Sequence, residues 1–262
     1  MRSFTFTHAI ARLPGSSITG GLRAVDTGAP DLATFMAHHS DYVEALRSTG
    51  AEVLVLDALE DFPDAVFVED TALCLPEGVI VMRPGAPTRL GEAARMRPVL
   101  EQYYADVRDI GTPATIEGGD ILVTEKEILA GTSARTSEAG IAALARLVAD
   151  WGYTVRTVNT PEGVLHFKTD CSLLDEETIL ATRRLAASGC FDGYRVIHVA
   201  DGEEAAANTI RFNGLVLMAA GFPATRDTLQ AAGYDVREIG NSEAAKLDGG
   251  MSCLSLRFSP VR

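Results

Sequence analysis

The sequence predicts an α/β fold in which five ββαβ units close into a ring, a five-bladed ββαβ propeller made by a single domain over residues 1–262. Three observations lead there. Short strand-like runs recur in pairs along the chain, and roughly equivalent points in them (Glu69, Glu117, Lys168, Asn208 and Met251) are 48, 51, 40 and 43 residues apart, a spacing typical of repeat architectures. Amphipathic segments of helical period lie between the pairs. The last pair is cut short by the chain end at 250–258, and the run at 4–9 is free to complete it. The same elements would also fit a doubly wound sheet, but pairing the two ends removes exposed sheet edges and favours the ring.

In chain order, the first pair is 67–74 (FVEDTALC) with 79–83, and a helix is expected over 90–104 despite Pro98. The second pair is 115–124 (TIEGGDILVT) with 127–131. It leads to a helix over 136–151, with Thr136 as N-cap and Ile141, Leu144, Leu147, Val148 and Trp151 inward. The third pair is 167–175 with 178–182. The fourth is 208–212 with 214–219, followed by a helix over 225–233 and a strand in YDVREI. No linker, low-complexity segment or charge block marks a domain boundary.

Composition narrows the partners. With 36 acidic and 23 basic side chains the net charge is −13, which argues against nucleic acid or an anionic membrane and suits a small cationic partner. No run of about 18 apolar residues spans a membrane, and the N-terminal stretch lacks the apolar core of an export signal. The four cysteines (Cys74, Cys171, Cys190 and Cys253) show neither C-x-x-C nor zinc spacing. A cytoplasmic protein with reduced thiols, no metal and no cofactor is the expectation. A homodimer through an outer helix or sheet edge is compatible with the pattern, although no residue identifies an interface.

A few residues stand out chemically. Cys253, just after Gly249 and Gly250, is either a presented nucleophile or a small apolar side chain opening a core strand. His166, one of five histidines, opens a repeat unit and is either its partner or an ordinary core or surface histidine. Glu117 in IEGGD and Glu69-Asp70 in VEDT occupy similar slots of neighbouring units. Carboxylates in such apolar runs need a partner, which is either an arginine such as Arg83, Arg89 or Arg135, or a bound cation. Arg89 and Arg135 each follow a hairpin and could grip a carboxylate. Gly20-Gly21 before Leu22 reads as a candidate lid. Phosphate loops, zinc-protease motifs and the G-x-S-x-G elbow are absent from the sequence.

Taken together, FVEDT (67–71), IEGGD (116–120), LHFKTD (165–170) and GGMSCLSLRF (249–258) resemble the guanidino-group-modifying enzymes, and among them the dimethylarginine dimethylaminohydrolases. The resemblance covers nearly the whole chain, with the four motifs in family order. It implies a pentein-type propeller around a polar central channel. It also implies Cys253 as nucleophile, His166 as general acid/base, and Glu117 with Asp70, Glu69 beside them, as the carboxylates that hold a guanidinium. Asp64 would contact substrate near the entrance, and Arg89 and Arg135 would grip an α-carboxylate. Leu22 and Leu247 would offer backbone contacts to the α-amino group, and Asp248 would support the site. Relatives that deiminate unmodified arginine, and amidinotransferases, are commonly longer, which favours methylated arginines as substrate.

Other readings are an arginine deiminase or another guanidine or ureido hydrolase of the same superfamily, or a non-catalytic binder of a cationic amino acid. A papain-like protease is disfavoured because its cysteine precedes its histidine and has a different local sequence.

Overall fold

The computed structural model describes residues 3–261. Five three-stranded sheets share one plan: an antiparallel pair, then a helix, then a third strand parallel to the middle one. The first blade joins β3 (Ala72–Cys74), β4 (Val79–Val81) and β5 (Val107–Asp109), with α2 (Leu90–Leu100) before its last strand. The second joins β6 (Ile121–Val123), β7 (Ile128–Thr132) and β8 (Val155–Asn159), with α3 (Glu138–Val148). The third joins β9 (Cys171–Leu173), β10 (Thr178–Ala181) and β11 (Arg195–His198), with the one-turn α4 (Arg183–Ala186). The fourth joins β12 (Ile210–Phe212), β13 (Leu215–Ala219) and β14 (Asp235–Ile239), with α5 (Pro223–Ala231).

The fifth blade joins the two ends of the chain. β15 (Leu256–Phe258) pairs antiparallel with β1 (His8–Arg12) in the register His8–Phe258, and β1 runs parallel to β2 (Glu52–Leu56) after α1 (Leu32–Arg47). The expected closure therefore occurs, with the N-terminal strand shifted a few residues beyond 4–9.

The core explains why the units need a ring. Its apolar clusters lie between adjacent blades, and each takes the helix of the following blade. Ile80 and Ile121 of blades one and two share a cluster with Ile141 and Leu144 of α3. Leu129 and Ile179 of blades two and three share one with Leu185 of α4. Leu180 and Val216 of blades three and four meet Leu229 of α5. Phe212 and Ala9 of blades four and five meet Phe35, Tyr42 and Leu46 of α1. Ile10 and Val79 of blades five and one meet Met96 and Leu100 of α2. A strand of three residues buries too little alone, so each blade depends on both neighbours.

Several expectations change. The motif segments are not strands throughout. Short 3-10 turns at Val68–Thr71, Gly118–Asp120, Phe167–Thr169, Glu204–Ala207 and Ser252–Leu254 precede the first strand of each blade. Helix α3 starts one residue later than expected, because Ser137 rather than Thr136 accepts the capping hydrogen bond, from Gly140 N–H. Helix α1, with no counterpart in the sequence reading, buries Phe35, His39, Tyr42, Val43 and Leu46. Its apolar stripe includes a histidine and a tyrosine and is broken by His38, Ser40 and Asp41, so the 3.6 period is weak in the sequence.

Candidate active site

The five turns face one another around the axis, and glycine lets two of them touch. A Cβ on Gly118 would lie 2.0 Å from the Glu69 carbonyl oxygen, and one on Gly119 would lie 2.6 Å from His166 Nδ1. The two glycines of IEGGD thus admit the first-blade turn and the histidine ring. Carboxylates then link the turns. Asp70 Oδ1 accepts Gly119 N–H at 2.8 Å, and Asp120 Oδ1 accepts Phe167 N–H at 2.8 Å.

Glu117 and His166 meet as a result. Glu117 Oε2 lies 2.6 Å from His166 Nε2, while Oε1 accepts Gly85 N–H at 2.9 Å and Ala86 N–H at 3.3 Å. Burial alone would lower the imidazole's pKa. The charge of Asp70 and the hydrogen bond to Glu117 outweigh it and raise His166 to about 9. The surrounding carboxylates thus favour the protonated ring.

Cys253 sits in the last turn, before β15, and is buried. Its Sγ is 3.4 Å from Gly250 N and 4.0 Å from Asn208 Nδ2. Burial first, then Glu69 and Asp70, push the thiol up to about 12. Asp70 behaves oppositely. Burial opposes its charge, but His166 and Arg89 hold its carboxyl down at about 2.

Arg89 is engaged more fully than an arginine waiting for substrate. It donates to Asp70 at 2.6 Å, to Glu92 at 2.7 Å and to the Phe67 carbonyl at 2.9 Å. Burial raises Glu92 to about 7 despite this pairing. Arg135 is freer: it is about a fifth exposed, and its nearest carboxylate oxygen, on Glu117, is 3.7 Å away.

At the entrance the segment after Gly21 is tied down at two points. Asp64 Oδ1 accepts Leu22 N–H at 2.9 Å, and Asp248 Oδ2 accepts Ala24 N–H at 2.6 Å. Asp248 holds a left-handed backbone (φ +58°) to do so. Burial raises the pKa of Asp64.

These residues enclose one cavity of about 160 Å³. Cys253, His166, Glu117 and Asp70 line it, together with Asp64, Arg89 and Arg135, and Leu22, Leu247 and Asp248 complete the expected set. Arg23, Phe67 and Leu165, which the sequence reading did not single out, also line it. Phe67 and Leu165 open the FVEDT and LHFKTD motifs but, like Arg23, carry no side-chain chemistry that marked them as site residues in the sequence.

Glu69, expected beside the guanidinium-holding carboxylates, has its carboxylate taken up by side chains of this protein. Its carboxylate takes Lys168 Nζ at 2.5 Å, Arg257 Nη2 at 2.7 Å and Ser252 Oγ at 2.7 Å. Glu69 lines a second cavity, of about 330 Å³, with Lys168, Ser252 and Arg257. Adjacent residues of a short turn project differently, so the Glu69-Asp70 pair divides between the two cavities. The oxygens of Glu117 meet His166 Nε2 and the N–H groups of Gly85 and Ala86. Asp70, with two of about four lone-pair positions used, retains more capacity for a guanidinium.

Each of Asp70, Glu117 and His166 offers a polar atom within 4.8 Å of the others. The four cysteines are free, and among the described residues no helix is long and apolar enough to cross a membrane.

The arginine deiminase family model matches residues 57–216. The N(G),N(G)-dimethylarginine dimethylaminohydrolase of Pseudomonas aeruginosa is 37% identical over 97% of this chain and 100% of its own length. Two solved structures each superpose with a TM-score of 0.94 at 36% identity, over 97% of this chain and 100% of theirs. One is a cysteine-to-serine variant of the Pseudomonas aeruginosa enzyme complexed with citrulline, and the other a histidine-to-glycine variant of dimethylarginine dimethylaminohydrolase as an adduct with S-methyl-L-thiocitrulline. The chain belongs to the dimethylarginine dimethylaminohydrolase family of the guanidino-group-modifying superfamily.

Proposed function

We propose that this chain hydrolyses Nω-methylated arginines, asymmetric dimethylarginine and monomethylarginine, to citrulline and a methylamine, with Cys253 as nucleophile and His166 as acid and then base. The observation that carries the reading is the convergence of the buried Cys253 thiol, His166 in contact with Glu117, and Asp70 in one small cavity. The citrulline complex and the thiocitrulline adduct of relatives support it.

The chemistry follows from the substrate's charge. A guanidinium carbon shares its positive charge with three nitrogens and resists attack by water, so a covalent route through sulfur lowers the barrier. Asp70, with Glu117 beside it, accepts N–H groups of the unmethylated nitrogens and turns the carbon toward Cys253, while Asp64 contacts the substrate near the entrance. The Cys253 thiolate adds to that carbon. His166 gives its proton to the dimethylated nitrogen, the C–N bond breaks, and dimethylamine leaves, so that an S-alkylthiouronium remains on sulfur. Now neutral, His166 takes a proton from water as the water adds to the same carbon. The C–S bond then breaks to release the thiolate as the hydroxyl oxygen becomes the ureido carbonyl of citrulline, its proton passing through solvent to the released dimethylamine, while His166 is left protonated as at the start. Arg135, with Arg89 behind it, faces the α-carboxylate, while Leu22 and Leu247 border the α-amino end.

Starting as a cation suits His166 to the first step, in which an acid is needed. Glu117 keeps its ring directed through both. The free thiols fit a reducing, cytoplasmic setting. Acid quenching during turnover tests the reading. Intact-mass measurement should show Cys253 carrying the substrate minus its amine, and Cys253→Ser should carry none. A protein that forms citrulline without any adduct on Cys253 would refute the covalent route.

A further inference from the structure

The proposed reaction needs a thiolate at Cys253, and burial together with Glu69 and Asp70 opposes that charge. Two N–H groups outside the residues assigned above face the sulfur. Gly250 N lies 3.4 Å from Sγ, and Asn208 Nδ2 lies 4.0 Å from it. The carboxamide cannot swap its ends, because Asn208 Oδ1 accepts Ser252 N–H at 2.9 Å. The donor end must therefore be the one that faces sulfur. The approach also depends on glycine: a Cβ on Gly250 would lie 2.3 Å from the Asn208 carboxamide carbon. Asn208 is buried at the end of the fourth-blade turn.

We propose that Asn208, together with the Gly250 N–H, is the donor pair that stabilises the Cys253 thiolate, which makes Asn208 a further residue of the reaction centre. The assignment rests on Cys253 being the nucleophile. When the thiol proton leaves for solvent, both N–H groups turn toward the new charge, and a charged acceptor draws donors closer than a neutral thiol does. The effect has a recognisable size. Losing donors worth one unit of thiol acidity lowers the thiolate fraction tenfold below the midpoint. The remaining thiolate is about threefold more nucleophilic, for a Brønsted slope of about 0.4–0.5, leaving a net loss of about threefold.

The test is iodoacetamide alkylation of Cys253 between pH 7 and 10, read by peptide mass. Asn208→Ala should alkylate about threefold more slowly at each pH. Asn208→Asp retains an oxygen for Ser252 N–H but exchanges the donor for a carboxylate, and should lose tenfold or more. Variants that melt like the parent and alkylate within twofold of it would overturn the assignment. A second reading needs no change at position 208. In Cys253→Ala the Asn208 side-chain amide proton should move upfield as its acceptor disappears, and an unmoved resonance contradicts the proposal. Because alkylation uses no substrate, normal shifts without citrulline formation would refute the proposed function while supporting this donor role.

Discussion

His166 Nε2 lies 2.6 Å from Glu117 Oε2, with the imidazole 9% exposed and the carboxylate fully buried. The pair comes from different blades and exists because Gly119 has no side chain to keep the ring away. Glu117→Gln removes the charge that helps to keep His166 protonated. We expect kcat to fall by about 10²–10⁴, the range for losing positioned acid–base catalysis, and the basic limb of the pH profile to move down from about 9. A variant with an unmoved limb would mean that another group titrates there.

The same pair shapes stability. The folded-state pKa of His166 lies above its ordinary value of 6.5, so its contribution is fully present below pH 6.5 and is lost as pH rises through about 9. Thermal melts across pH 6–10 should show this loss in the parent and much less of it in Glu117→Gln. Parallel curves would contradict the electrostatic account.

Ligand charge should govern Cys253. A guanidinium about 4 Å from sulfur is worth roughly 4 kcal/mol at an effective dielectric of 20, before desolvation. With an unreactive cationic substrate analogue bound, the ultraviolet absorbance of the thiolate should appear at lower pH than in the free protein, with Cys253→Ser as blank. An unchanged midpoint would remove the substrate from nucleophile activation.

Glu69 and Asp70 are neighbours with different duties. Glu69→Gln leaves Lys168 and Arg257 without their shared carboxylate and should cost about 3–5 kcal/mol of stability, with activity of the folded fraction reduced less than tenfold. Asp70→Asn should lower kcat/KM by a hundredfold or more, since it faces the substrate cavity. Denaturant melts beside steady-state kinetics separate the two, and the reverse pattern would move Glu69 into the substrate site.

At the entrance, Asp248→Gly suits the left-handed backbone (φ +58°) and removes the acceptor for Ala24 N–H. We expect unchanged or slightly higher stability, faster hydrogen exchange at Ala24 and a raised KM. Unaltered exchange at Ala24 would show that this carboxylate does not hold the segment.

Much of this was legible because repeats leave a period. Spaced hairpins and the chain ends announced a closed ring, and EGGD marked a close backbone approach that Gly118 and Gly119 now explain. Helix α1 was hidden because His39 and Tyr42 take places on its buried stripe. The resemblance set Glu69 beside Asp70, but the sequence did not show that Lys168, Arg257 and Ser252 would share its carboxylate, because those partners lie 99 to 188 residues away. Asn208 showed only as a repeat point: an amide carries no charge, and its role depends on a cysteine 45 residues later.

The most direct measurement is citrulline formation from asymmetric dimethylarginine, monomethylarginine and arginine, each with the parent protein and with Cys253→Ser. The account predicts citrulline from both methylated substrates, little from arginine, and none from the variant. Turnover mainly of arginine would contradict the assigned substrate, and undiminished activity in Cys253→Ser would contradict the mechanism.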